Sequence, residues 1–220
     1  MKRQLQDHWT FLREFRRTFR TTGAVAPSGR SLAKAMTRPL RELPEPRRVL
    51  EIGPGTGAVT RTILKSLGEC DTLDLVEINS EFADHLRQRF LDDPDYQAAA
   101  DRATVHCCPL QDFAGIEGGY DAVISGLPFN NFPTELVDSL MDCAIAHVRP
   151  GGTLSFFEYR YVRPVRQRIG RRPDRPRLTR IEMLLRRRFA EHRFRQDWVF
   201  ANIPPAWVQH LRIKPHADTQ

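Results

Sequence analysis

Apolar positions recur along this chain with two periods. Over 1–20, Leu5, Trp9, Leu12, Phe15 and Phe19, with Phe11 alongside, fall three or four apart, which predicts a helix with one apolar stripe. Lys2, Arg3, Arg13, Arg16, Arg17 and Arg20 lie largely off it. Such a helix suits the headgroup layer of an anionic membrane, and it suits equally a helix packed on the domain with its arginines in water. Gly23, Pro27 and Gly29 end it. Ser28 or Ser31 can cap a second helix to about Thr37, so that 21–36 reads either as a lid or as a plain connector. Pro39, Pro44 and Pro46 then form a linker. From Arg48 onward short apolar runs alternate with amphipathic stretches. They predict strands at 48–53, 72–78, 103–108, 120–126 and 152–159, and helices at 57–67, 80–91, 134–147 and 178–189. The tail at 192–203 suits one or two more strands. Alternation of this kind predicts a doubly wound α/β sheet, parallel in the main and preceded by amphipathic helices. The expected division is 1–40 for the helix and lid segment and 41–220 for the α/β domain.

Composition narrows the partners. The chain has 220 residues, with 34 Lys+Arg against 27 Asp+Glu, a net charge of +7 and a pI near 9.7. An anionic partner follows: a membrane surface, a nucleic acid or an acidic small molecule. Cys70, Cys107, Cys108 and Cys143 have no metal-ligand or disulfide spacing and read as reduced core or near-core thiols. No apolar run is long enough to cross a bilayer, and no signal peptide is recognisable. The expected location is cytoplasmic, soluble or on a membrane face.

The chemistry centres on Val49-Leu50-Glu51-Ile52-Gly53-Pro54-Gly55-Thr56-Gly57, a strand entering a glycine turn. Glycines let backbone approach a ligand closely. The dinucleotide form of this unit carries its acid about 20 residues after the glycines. Here Glu51 precedes them, where it would oppose a pyrophosphate and welcome an ammonium group. Glu77 ends the second strand and can accept ribose hydroxyls. Together these residues resemble the cofactor site of class I S-adenosylmethionine-dependent methyltransferases. At the end of the fourth strand, Ser125-Gly126-Leu127-Pro128-Phe129-Asn130 resembles the motif of methyltransferases that modify amino groups. Ser125 and the carbonyls of Gly126 and Leu127 are candidate acceptors for amine hydrogens, and Asn130 is a candidate to orient the amine. Phe129 is read as a face for a cationic product, and Phe132 as core. Leu110, with Gln111 or Asp112, stands where such sites contact adenine. Tyr159 either points at the acceptor or is a core tyrosine. The arginine-rich run from Arg160 to Arg177 suits phosphate contact, with some of its members simply solvated.

Across nearly its whole length the chain resembles the soluble, class I type of bacterial phospholipid N-methyltransferase. Four stretches carry the likeness: 11–36 with Gly23-Ala24-Val25-Ala26-Pro27-Ser28, then 49–57, then Ser125-Gly126-Leu127-Pro128, then Asn202-Ile203-Pro204-Pro205-Ala206-Trp207-Val208. The resemblance implies a Rossmann-like fold with S-adenosylmethionine held by Glu51, Gly53, Gly55 and Glu77; Gly57, Ile78, Leu110, Gln111 and Ser125 are further candidate cofactor residues. It implies methylation of phosphatidylethanolamine towards phosphatidylcholine by a protein peripheral on the inner face of the cell membrane. No metal and no nucleic acid are expected. Cys108-Pro109 and Phe129-Asn130-Asn131 depart from commoner forms of the family. An ornithine-lipid N-methyltransferase would share the scaffold. A ribosomal RNA adenine dimethyltransferase has a related core, and the positive charge also fits RNA.

Overall fold

The computed structural model describes residues 27–159, 174–200 and 205–214. The 1–20 stripe, residues 21–26, the arginines from 160 to 172 and Asn202-Ile203-Pro204 lie outside the described residues.

Helix α1, Pro27–Met36, is followed by a 3₁₀ turn at Pro39–Glu42. Strand β1, Arg48–Ile52, leads through the glycine turn to α2, Thr60–Leu64. Strand β2, Thr72–Val76, leads to α3, Ser80–Asp92, and a short α4, Pro94–Gln97. Strands β3, Ala103–His106, and β4, Tyr120–Ser125, precede α5, Thr134–Ala146. Strand β5, Val148–Tyr159, comes before α6, Asp174–His192. Strands β6, Arg193–Val199, and β7, Ala206–Arg212, close the chain.

The seven strands lie in the order β3-β2-β1-β4-β5-β7-β6. Pairs among β1 to β5 are parallel, and β7 runs antiparallel between β5 and β6. Strand order reverses at β1, between β2 and β4, which opens a crevice beyond the carboxyl ends of those strands. Sequence dictates this core directly. The central strands are buried on both faces, so they read as apolar runs and not as alternation. One face packs Leu50, Val123, Leu154 and Phe156 under α5 and α6. The other packs Val49, Leu75, Ile124 and Val208 under α1, α2 and α3. Helix α3 starts where the Asn79 side chain accepts the Phe82 amide, and it buries Ala83, Leu86 and Phe90. In α1, Leu32, Ala33 and Met36 are buried, so the described part of the candidate lid packs on the sheet.

Several boundaries differ from expectation. Helix α2 is shorter, because 55–59 stay in turns. Strand β5 begins at Val148, because Gly151 takes φ 80° and its amide donates to Ile213 O at 2.7 Å, carrying the chain through Pro150-Gly151-Gly152. Helix α6 begins at Asp174 and takes Pro176 into its first turn, where no N–H is needed. It therefore includes Arg177, which the sequence places in a loop. The tail supplies one strand, β6, and the second lies beyond it at Ala206–Arg212. Cys70 and Cys107 are exposed and Cys108 and Cys143 half-buried, so none is a true core thiol. Among the described residues no helix is long and apolar enough to cross a membrane.

Candidate active site

The rim is assembled by register. Ile52 stands beside Val76 and Ser125, so Gly53, Glu77 and Gly126 follow side by side. The Gly53 amide donates to Val76 O at 2.9 Å, and the Gly126 amide to Ile52 O at 2.8 Å. A Cβ on Gly126 would stand 2.7 Å from Gly53 O, so only glycine lets these two strand ends close up.

The glycine turn has two sides. Gly53, Gly55 and Gly57 have φ of 66°, 60° and 81°, the left-handed region that disfavours a side chain. A Cβ on Gly55 would meet nothing within 4 Å, so this residue borders open space. A Cβ on Gly57 would lie 2.5 Å from the Tyr96 hydroxyl, so this one faces the protein. Tyr96 donates to Gly57 O at 2.8 Å. The Arg89 guanidinium covers the Tyr96 ring at 4.1 Å and donates to Thr56 O at 3.0 Å. Asp93 joins Arg89 to Arg61 at 2.8 and 2.6 Å. The loop is thus braced from behind by Tyr96, Arg89, Arg61 and Asp93, none of which the motif marks. Only the Arg89–Asp93 spacing of four was visible in the sequence.

The two motif acids behave differently. Glu77 is fully buried, and its carboxylate accepts the Gly55 amide at 3.0 Å and the Asn79 amide at 2.9 Å. It therefore shapes the turn. Glu51, also fully buried, receives the Thr60 hydroxyl on Oε2 at 2.6 Å, and its Oε1 has no partner. Burial pushes this carboxyl up to about 8, the Thr60 hydrogen bond opposes the rise, and the Glu77 charge adds to it. A cation beside Oε1 would reverse the rise, and a phosphate would be repelled. The crevice therefore fits S-adenosylmethionine, which has an ammonium group, a ribose and no phosphate. Glu51, Gly53, Gly55, Glu77 and Ser125 come together at the carboxyl ends of β1, β2 and β4.

The remaining expected residues divide. Ser125 is buried, and its Oγ accepts the Leu127 amide at 3.3 Å. Leu127 is buried, and its carbonyl accepts the Phe129 amide at 3.1 Å. Phe129 departs from its expected role: only 1% exposed, it packs edge-on against Phe156 at 5.4 Å, and Phe132 is buried with it. Asn130 sits in the 3₁₀ turn Phe129–Asn131 and donates from Nδ2 to Tyr159 O at 3.1 Å. Its Oδ1 is buried without a partner. Arg177, reaching in from α6, donates to Asn130 O at 3.2 Å and to Phe132 O at 2.7 Å, which clamps the turn. The half-buried Tyr159 stands edge-on to Phe157 at 5.1 Å. Leu110 is buried, Ile78 half-buried, and Gln111 and Asp112 are exposed. Among the described residues no group of three or more His, Cys, Asp or Glu could hold a metal ion. Ser155, His210 and Asp197 do line up, at 2.8 and 3.3 Å. However, Ser155 is 2% exposed and His210 is 0%, so this is an internal pin and not a nucleophile.

The model of the methyltransferase domain family matches residues 50–154, from inside β1 into β5. An ornithine lipid N-methyltransferase of Singulisphaera acidiphila is 30% identical over 153 residues, covering 69% of this chain and 77% of that protein. A ribosomal RNA small subunit methyltransferase A of Parasynechococcus marenigrum is 36% identical over 85 residues, 38% of this chain and 26% of that protein. Among solved structures, an O-methyltransferase from Bacillus cereus in complex with SAH aligns with a TM-score of 0.63 at 16% identity, over 92% of this chain and 90% of that one. That last likeness speaks for the fold, a Rossmann-like class I methyltransferase sheet. With the rim built as described, the chain belongs to the methyltransferase domain family and is related to a lipid N-methyltransferase.

Proposed function

We propose that this protein methylates the amine of a lipid headgroup at a membrane surface, with S-adenosylmethionine as donor. The carrying observation is a pair of buried, unpartnered acceptor oxygens beside the rim. Glu51 Oε1 stands beside the glycine turn, and Asn130 Oδ1 stands beyond Ser125. Oxygens of this kind suit cationic or N–H-bearing groups on both donor and acceptor. The ornithine lipid N-methyltransferase relative supports a lipid amine as acceptor. Both phosphatidylethanolamine, methylated towards phosphatidylcholine, and an ornithine lipid meet that description.

The cofactor supplies an electrophilic methyl group on a sulfonium. The chain's own residues have a limited task, since transfer to nitrogen is an in-line displacement that needs alignment and removal of water. Glu51 neutralises the ammonium of the donor, and Glu77 holds the glycine turn in shape. Ser125 and the Leu127 carbonyl orient the amine hydrogens, and Asn130 Oδ1 takes another. The amine must shed one proton to expose its lone pair, and the rim lets that proton leave to water. The basic, aromatic 1–20 stretch is proposed to hold the protein on the inner face of the membrane.

A second reading, methylation of adenine amino groups in ribosomal RNA, draws on the shorter match to the ribosomal RNA methyltransferase. Incubation with radiolabelled S-adenosylmethionine decides between them, with phosphatidylethanolamine vesicles, ornithine-lipid vesicles and ribosomal RNA offered in parallel. Label in either lipid is the expected result. Label confined to RNA would overturn the proposal.

A further inference from the structure

A cavity of about 410 Å³ lies between α6 and the face formed by β5, β7 and β6. It is one step along the rim from the crevice, because Asn130 and Tyr159 form part of its wall. Register explains its polar lining. Ser125 stands beside Phe156, Phe156 beside Gln209, and Gln209 beside Gln196, so Gln209 lies level with the last residue of β4. Glu158, two residues on from Phe156, shares that face.

Two side-chain amides border this cavity, and both are oriented by their donors. Gln209 is 2% exposed and gives its Nε2 to Glu158 Oε2 at 2.9 Å. Asn130 gives its Nδ2 to Tyr159 O at 3.1 Å. These bonds fix which end of each amide is oxygen. Gln209 Oε1 and Asn130 Oδ1 are left buried with no partner. A buried acceptor without a donor is costly, and in a cavity of this size a ligand that carries N–H groups removes the cost. Two carboxylates, Glu158 and Glu182, stand in the same wall, the latter joined to Arg186 at 3.0 Å. Two arginines, Arg186 and Arg193, line it as well and are exposed. The lining is therefore cation-seeking inside and anion-seeking at its solvent-exposed arginines.

We propose that this cavity receives the zwitterionic head of the acceptor as it arrives, with its ammonium towards Gln209 Oε1, Asn130 Oδ1 and the two carboxylates before the amine loses its proton and passes to Ser125 and the Leu127 carbonyl, and with its anionic group towards Arg186 and Arg193. The inference rests on the reading of the protein as a lipid-amine methyltransferase and adds the residues that select the head. A phosphoethanolamine head and an ornithine head share this chemistry: an ammonium a few bonds from an anion.

Steady-state methylation on phosphatidylglycerol vesicles tests it, with phosphatidylethanolamine in one arm and ornithine lipid in the other. The variants are Gln209→Leu, which removes the bare oxygen, and Glu182→Gln on the half-exposed side of α6, where folding is not at stake. Each should raise the KM for acceptor about tenfold, in whichever arm the wild-type protein uses, while calorimetric affinity for S-adenosylmethionine stays as it was. Should Gln209→Leu fail to fold, Glu182→Gln alone decides. Unchanged KM in the folded variants overturns the inference and leaves the functional reading standing. A wild-type protein that methylates neither lipid overturns both.

Discussion

Two buried carboxylates sit at opposite ends of the same strand bundle. Asp71 lies at the amino end of β2 and Glu51 near the carboxyl end of β1, and both are 0% exposed. Asp71 accepts the Arg47 backbone amide, the Arg47 guanidinium through Nε and a terminal nitrogen, and the Gly68 amide. Burial alone would push its carboxyl up, but the Arg47 and Gly68 hydrogen bonds outweigh that and hold it below the usual range. Glu51 has one donor and lies deeper among protein atoms, and burial lifts it to about 8. One end of the sheet is closed by a satisfied ion pair; the other keeps an oxygen bare. The difference separates a carboxylate whose charge is fully partnered from one that keeps an unpartnered oxygen.

The sharpest way to break that comparison is to remove the partner at the closed end. Arg47 also donates to Leu40 O and Ser66 O, so Arg47→Met strands both the Asp71 charge and two carbonyls. A loss of roughly 3–5 kcal/mol of stability is expected in urea unfolding. A loss under 1 kcal/mol would mean that Asp71 is as tolerant of isolation as Glu51. At the open end, Glu51→Gln keeps an oxygen for Thr60 and removes the charge. Unfolding stability should hold or rise, while calorimetric affinity for S-adenosylmethionine falls by roughly 1.5–3 kcal/mol, the worth of a hydrogen bond to a charged group. Equal affinity in wild type and variant would remove Glu51 from the site.

Acidity sharpens the contrast further. The Glu51 carboxyl is raised above its ordinary 4.5, so between that value and about 8 the folded protein holds a proton that the unfolded chain has released. Ligand-free stability must therefore fall as pH rises through this window. His210, depressed by burial to about 4, acts in the opposite sense below its ordinary 6.5: stability from that group is lost as pH falls. From 6.5 to 8 only the Glu51 slope of this pair remains, at most about 1.4 kcal/mol per pH unit. Thermal unfolding of the ligand-free protein should show it, and Glu51→Gln should flatten it. Binding the cationic donor should release a proton in the same range, which calorimetry in buffers of different ionisation enthalpy reads directly.

How much of this was legible in the sequence depends on chain distance. Strands β1, β2 and β4 are apolar runs that end at Gly53, Glu77 and Gly126, so run and stop both sit in the local sequence. The start of β5 does not, because Pro150-Gly151-Gly152 reads as a turn, and only the Gly151 bond to Ile213, far along the chain, keeps it in the sheet. The motif acids were legible as a pair, but their division of labour was not. That Glu77 spends itself on the Gly55 amide while Glu51 stays half-bare depends on where the turn folds back. Phe129 misled because a motif position says nothing about which way a ring turns, and Phe156 across the sheet draws it inward. Gln209 was invisible as a site residue, since its meaning comes from Glu158 and α6 on separate elements.

The smallest effect belongs to the brace behind the glycine turn, and it asks whether the open end is itself held by satisfied contacts. Tyr96 is fully buried and reaches Gly57 O from 39 residues away. Tyr96→Phe keeps the ring under Arg89 and removes only that hydrogen bond. About 1 kcal/mol of stability should go, the net worth of one neutral bond. If the bond also sets the turn for its ligand, affinity for S-adenosylmethionine falls severalfold as well, because the Gly55 side of the turn can then relax. Equal stability loss with wild-type affinity would confine Tyr96 to the fold, and the ligand-facing geometry would then rest on Glu77 and on the Arg89 bond to Thr56 O.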